Sequence, residues 1–219
     1  MLGMLLMLMK RLHQYRDNQR EHLWRDEGNV TSIQGCTALM VGLGDIGGEF
    51  ARRMKALGAY TIGVRRSDVR RPEYLDELVL MDGLDQVLPR ADVVALSLPN
   101  TKQTYRMFDE QRLNRCKTGA ILLNVGRGTA IDTDALCHAL ESGKLGGAGV
   151  DVTDPEPLPP EHPLWSIENA LITPHVSGFF HLEETLNRIV AQAADNLRRF
   201  QNGEPLLSEV DFQTGYRKL

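Results

Sequence analysis

The hexapeptide Gly42-Leu43-Gly44-Asp45-Ile46-Gly47 constrains this chain more than any other stretch. It follows the apolar run 38–41 and opens an amphipathic segment over 46–57, with a second apolar run at 60–64. A strand that turns on glycines straight into a helix has a defined geometry. Gly42 permits the tight turn, Gly44 lets another group approach the backbone, and Gly47 lets helix and strand pack closely. The N–H groups that open such a helix have no intrahelical acceptor, and with the helix dipole they attract phosphate. Glycine triplets of this spacing are common. This one has a strand before it, a helix after it and a second strand at the correct distance, which reads as a dinucleotide site.

The rest of the chain continues the alternation. Further apolar runs lie at 92–96, 120–125, 147–150 and 170–172, and helical stretches are predicted at 72–79, 82–89, 109–115 and 133–142. Apolar strands separated by helices specify a parallel sheet covered on both faces. The expected fold is therefore α/β, a doubly wound parallel sheet of the Rossmann type. A long amphipathic helix is predicted over 182–201, stopped by Asn202-Gly203, and the tail from Glu204 reads as extended and irregular. At the other end, residues 1–25 read as one helix, very apolar up to Met9. That apolar run is far shorter than the ~20 residues needed to span a bilayer. Its positive charges, Lys10 and Arg11, follow it, which is the wrong order for a secretory leader. It reads as a buried helix that a partner surface must cover.

Charge and cysteines exclude several classes. With 25 basic and 29 acidic residues, net charge −4, there is no basic excess for nucleic acid. Cys36, Cys116 and Cys137 show no metal-ligand spacing and read as small buried thiols in a reducing, cytoplasmic setting, so no metal site is expected.

Where the second strand ends, the sequence is Arg65-Arg66-Ser67. A carboxylate at this place holds a ribose 2′-OH, whereas arginines and a serine suit a 2′-phosphate, so NADP is expected over NAD. Three later stretches also follow strands, the edge where open α/β sheets bind ligands. Asn124-Val125-Gly126-Arg127-Gly128 places an arginine on a glycine-flanked turn. Asp151-Val152-Thr153-Asp154-Pro155-Glu156-Pro157 carries carboxylates in a proline frame, and Thr173-Pro174-His175 carries an imidazole. An arginine, a carboxylate and a histidine beside a cofactor turn make a proton-transfer constellation.

Taken in order, GLGDIG, NVGRG, DVTDPEPLP and TPHVSG resemble the D-isomer-specific 2-hydroxyacid dehydrogenases. The resemblance implies His175 as general acid/base, Glu156 as the carboxylate that orients it, and Arg127 as the group that binds the substrate's carboxylate and carbonyl. It implies cofactor contacts at Gly42, Gly44, Asp45, Ile46 and Gly47, at Arg65, Arg66 and Ser67, and at Leu98, Pro99 and Thr104. It extends them to Val125, Gly126, Arg127, His175, Ser177 and Gly178, with Asp151 toward the nicotinamide carboxamide. The implied reaction is hydride transfer between a nicotinamide cofactor and a small D-2-hydroxy or 2-keto acid, of the glyoxylate/hydroxypyruvate reductase kind. Members also carry a substrate lobe, so residues 1–28 read as an inter-lobe and homodimerisation helix that begins partway through the crossing. Residues 29–181 read as the NAD(P)-binding domain, and 182–219 as a helix and tail returning toward the substrate lobe. The alternative is a cofactor-binding fragment or regulatory module with little turnover.

Overall fold

The computed structural model describes residues 1–67, 70–178 and 182–218. The chain opens with α1 (Leu2–Met9) and α2 (Leu12–Arg20), two helices where the sequence predicts one. The break is at Arg11, whose backbone is left-handed at φ 53°. Its guanidinium donates to the carbonyls of Glu27 (2.5 Å) and Asn29 (3.1 Å), tying the returning chain against the break. No glycine or proline announces this, because a tertiary contact stabilises it.

Next come β1 (Thr37–Val41), α3 (Asp45–Ala56), β2 (Tyr60–Arg65) and β3 (Glu77–Leu80). They are followed by α4 (Leu84–Val87), β4 (Val93–Leu96), α5 (Glu110–Arg115), β5 (Ala120–Asn124), α6 (Thr133–Glu141), β6 (Leu145–Val150), β7 (Ala170–Ile172) and α7 (Glu183–Gln201). The predicted helix at 72–79 is not formed. The chain turns there and enters β3, an edge strand parallel to β2. Leu75, Leu78 and Val79 do have helical spacing, but Asp76 accepts hydrogen bonds from the backbone N–H (2.8 Å) and hydroxyl (3.0 Å) of Thr61 at the start of β2. That anchor sets the next four residues alongside β2. The expected helix at 82–89 is only a single α-turn, α4, flanked by 3₁₀ turns.

Seven parallel strands form one sheet in the order β3-β2-β1-β4-β5-β6-β7. Alternate residues of each strand serve opposite faces, the period of two that a strand imposes. Leu39 and Val41 of β1 join a core with α4, α5 and α6, whereas Ala38 and Met40 join a core with α1 and α3. The sheet is thus doubly wound, as the sequence pattern predicts. Capping sets helix starts: Asp109 accepts from the Arg112 N–H (2.9 Å) and Asp132 from the Ala135 N–H (3.2 Å).

The apolar start finds its cover within the chain. Leu5 is fully buried and Met4, Leu8 and Met9 nearly so, packed with Ile121 and Leu123 of β5. Glycines in β6 make room: a Cβ on Gly147 would stand 3.0 Å from Leu8, and one on Gly149 3.0 Å from Met4. Each buried leucine or methionine contributes about 1.5–3 kcal/mol. Much of the apolar surface of residues 1–9 is thus covered from within the chain, and Leu6 stays exposed. The opposite holds for α7, which has no buried residue and leaves Ile189, Val190, Leu197 and Phe200 exposed. Beyond it, β8 (Val210–Asp211) and β9 (Tyr216–Arg217) pair as a small hairpin where an irregular tail is expected. The boundary expected at 181/182 adjoins residues 179–181, which lie outside the described residues. Among the described residues no helix is long and apolar enough to cross a membrane.

Candidate active site

Strand order reverses between β1 and β4, and the crevice at their C-terminal ends is where such sheets bind ligands. The glycine turn lies in that crevice. Gly42 has φ 98°, and a Cβ on it would meet the Ser97 carbonyl oxygen at 2.8 Å. A Cβ on Gly47 would overlap the Gly42 carbonyl oxygen. Around a Cβ on Gly44, by contrast, there is only open space. Protein packing thus explains two of the three glycines, and the third faces open space at the edge of a cavity. Gly44 also stands at the N-cap position of α3, and no side chain caps that end.

A cavity of about 830 Å³ opens from this turn. Of the residues expected to bind cofactor, Gly42, Gly44, Asp45, Arg65, Arg66, Ser67, Leu98 and Pro99 line it. Ile46 and Gly47 instead belong to the first turn of α3, Ile46 exposed and Gly47 buried. Thr104 is buried, and its hydroxyl donates to the Pro99 carbonyl (2.6 Å) while accepting from the Thr101 N–H (2.9 Å). It holds the shape of the loop after β4. The cavity also has charged and aromatic lining that the sequence motifs do not point to, Arg52, Arg188, Tyr216 and Lys218 among it. Arg52 lies one helical turn beyond Gly48 on α3, which the i, i+4 spacing could have revealed. Arg188, Tyr216 and Lys218 come from the C-terminal segment, and no local pattern points to them.

The second part of the site lies on the neighbouring strand ends. After β5, the buried Asn124 side chain accepts from the Gly126 N–H (3.0 Å) and donates to the Arg127 carbonyl (3.0 Å). This small template presents Arg127, whose side chain is exposed, and sequence reasoning gave Asn124 no role. Val125 and Gly126 are buried beneath it. A Cβ on Gly128 would overlap the Thr153 carbonyl, so glycine lets the Arg127 turn lie against the loop that carries Glu156.

After β7 the chain makes an unusual turn, with His175 at φ 56°. A left-handed non-glycine residue costs about 1–3 kcal/mol and persists only when its surroundings hold it. Asp151, at the end of β6, does so. Its carboxylate accepts from the backbone N–H groups of Val176 and Ser177 (2.9 Å each) and from the Thr173 hydroxyl (2.5 Å), and its carbonyl accepts from the His175 N–H (2.8 Å). Burial opposes ionisation of Asp151, but these hydrogen bonds outweigh it and hold the carboxyl below the usual range. Asp151 is 2% exposed, so the structure places its carboxylate within the His175 turn. Gly178 follows that turn, with open space around a Cβ built on it. On the partly exposed side of the turn, His175 Nδ1 stands 2.7 Å from Glu156 Oε1. The imidazole and carboxylate expected to act together are therefore paired.

A family model for the NAD binding domain of the D-isomer specific 2-hydroxyacid dehydrogenases matches residues 2–177. The chain belongs to that family. It is 39% identical over 178 residues to a glyoxylate reductase of Korarchaeum cryptofilum, covering 78% of this chain and 51% of the relative. A solved member of the family from Aeromonas salmonicida superposes with a TM-score of 0.85 at 38% identity, covering 96% of this chain and 66% of that one. An NADPH-dependent glyoxylate/hydroxypyruvate reductase from Sinorhizobium meliloti, solved with NADP and sulfate, superposes at 0.87 with 30% identity, covering 98% and 67%. The chain spans about half the length of the curated relatives it matches. For this D-2-hydroxyacid dehydrogenase domain, the open space at Gly44, the uncapped helix start and the arginines beside them fit a dinucleotide.

Proposed function

We propose that this chain supplies the cofactor half and the acid/base machinery of an NADP-linked reductase of small 2-keto acids, acting reversibly as a D-2-hydroxyacid dehydrogenase. The observation that carries this reading is the His175–Glu156 pair, standing on the same sheet edge as the glycine turn. The glycine turn and the start of α3 would hold the diphosphate, and Arg65, Arg66 and Ser67 the adenosine 2′-phosphate; NAD is the weaker ligand. The bound nicotinamide supplies or accepts a hydride. Arg127 neutralises the substrate carboxylate and stabilises negative charge developing on the carbonyl oxygen. His175 gives that oxygen its proton, an exchange suited to imidazole near neutral pH. Glu156 holds the ring in place through its contact with Nδ1. Asp151 fixes the turn from which His175 projects. Glyoxylate and hydroxypyruvate are the substrates to try first, because relatives so named share this domain.

We read residues 1–28 as the inter-lobe and dimer element, 29–181 as the cofactor domain and 182–219 as a return toward a substrate lobe. The exposed apolar face of α7 supports the last assignment, and exposed Leu12, Leu23 and Trp24 support a dimer surface on and beyond α2. A cytoplasmic location follows from the same reading. One observation favours the alternative of a binding module with little turnover. Arg127 is exposed and Glu156 is 44% exposed, so water reaches the edge where the chemistry would occur. Mixing the chain with NADPH and glyoxylate or hydroxypyruvate and following absorbance separates the two. Turnover abolished by His175→Gln supports the reductase, and NADPH binding with no turnover supports the module.

A further inference from the structure

The C-terminal segment touches the cofactor cavity in a way that the motifs do not anticipate. After α7 the chain turns back, and the Asn196 side chain brackets Leu207, accepting from its N–H (2.7 Å) and donating to its carbonyl (3.1 Å). The hairpin follows. Asp211 accepts from the Gly215 N–H through its carbonyl (2.8 Å) and from the Gln213 N–H through its carboxylate (2.8 Å), which closes the turn. Gly215, at φ 72°, brings the tip so near the loop after β4 that a Cβ would stand 3.1 Å from the Thr101 side chain. The hairpin thus bridges from α7 to the rim of the crevice.

Its Tyr216 ring lies against Arg66, with the guanidinium carbon 4.2 Å from the ring centroid. Most other cations at this cavity have carboxylate partners: Lys218 pairs with Glu209, Arg188 with Glu184 (2.5 Å) and Arg52 with Glu49 (3.2 Å). Among the described residues, Arg65 and Arg66 form no ion pair. A ring face orients a guanidinium without neutralising it and leaves its N–H edge able to make a two-pronged bond. A carboxylate partner would do the reverse.

We propose that the C-terminal hairpin is a wall of the nucleotide pocket, and that Tyr216 is a positioning residue that aims Arg66 at a phosphomonoester on the adenosine ribose. This rests on the cofactor reading above and adds to it a selectivity element distant in sequence from the Arg65-Arg66-Ser67 stretch. Lys218, held beside it on the same strand end, adds a second and weaker positive charge.

Adenosine fragments test this without any reaction. Adenosine 2′,5′-bisphosphate and 5′-AMP differ by the one phosphate in question, and calorimetry gives both affinities for the intact chain. Wild type is expected to prefer the bisphosphate. Tyr216→Ala should weaken the bisphosphate about five- to tenfold, the scale of one cation–π contact with a charge-assisted bond behind it, and leave 5′-AMP within about twofold. Tyr216→Phe should restore the preference, because the ring and not the hydroxyl meets Arg66. Combined with Arg66→Ala, Tyr216→Ala should cost nothing further, since the two act as one unit. A Tyr216→Ala chain that keeps the full preference overturns the hairpin proposal and leaves the cofactor reading intact. An equal loss on both ligands keeps the hairpin as a wall but overturns the positioning role of Tyr216, as does a Phe variant that behaves as Ala. A wild-type chain that binds neither fragment, or both equally, overturns the NADP reading itself and the proposal with it.

Discussion

The turn after β1 and the turn after β7 face the same crevice, yet they are built by opposite means. At Gly42 and Gly47 the shape comes from side chains that are missing: backbone lies on backbone where a Cβ would intrude. At Thr173–Ser177 the shape comes from one side chain that is present, the buried Asp151 carboxylate drawing three donors onto itself. The first presents the backbone N–H groups at the start of α3, suited to a phosphate. The second presents an imidazole, suited to a proton. The difference shows that binding and chemistry can be placed at one sheet edge by close packing in one turn and by buried charge in the other.

The two turns should therefore fail differently. Gly47→Ala forces a Cβ into the Gly42 carbonyl, and overpacking against backbone is expected to cost about 3 kcal/mol or more in denaturant unfolding. Gly44→Ala separates shape from binding, because open space surrounds its Cβ. It should leave unfolding unchanged while weakening NADPH at least about tenfold, since the methyl occupies ligand space. If Gly47→Ala left stability at the wild-type level, close packing would not be what shapes the first turn.

Asp151→Asn is the matching blow to the second turn. It removes a charged acceptor and turns an amide N–H₂ toward backbone donors, a loss of about 2–3 kcal/mol in the same assay. The loss should depend on pH. Because the folded carboxyl lies below its ordinary value of 3.8, its contribution is present in full above that value and disappears as pH falls through the folded one. The wild-type advantage over Asp151→Asn should therefore shrink in acid, while the penalty for Gly47→Ala stays flat. A pH-independent Asp151 effect would show that geometry, not charge, holds the His175 turn.

Smaller effects on stability are expected at the exposed chemistry. His175→Gln and Glu156→Gln should leave the unfolding midpoint unchanged, since the pair is partly exposed. In the reductase they should lower keto-acid reduction, for His175 by about 10²–10⁴-fold, the range of general acid–base catalysis. Wild-type turnover with His175→Gln would remove this histidine from the proton transfer. Smallest of all, Cys36, Cys116 and Cys137 have thiols pushed up to about 11 by burial and should resist a thiol reagent at neutral pH until the chain unfolds.

The same contrast explains what could be read from sequence. The glycine turn was legible because its constraint is local: three glycines at fixed spacing between a strand and a helix. So were the apolar strands and the order of the Arg127, Glu156 and His175 motifs. The misreadings share one cause, a partner distant in sequence. Edge strand β3 carries helical spacing and is set by Asp76 reaching Thr61. The break at Arg11 is held by carbonyls of residues 27 and 29. Met4 and Leu8 looked like a surface in need of a second chain, but Gly147 and Gly149 had already made a seat for them. Tyr216 meets Arg66 across 150 residues, which no periodicity encodes.

In the proposed reading, the turn at Gly42–Gly47 and the arginines after β2 let this chain bind NADP. Fluorescence titration of the purified chain with NADPH and with NADH tests it directly, with Gly44→Ala as control. Saturable binding, tighter for NADPH and weakened for both by Gly44→Ala, is the predicted result. A chain that prefers NADH, or that binds neither, contradicts the account.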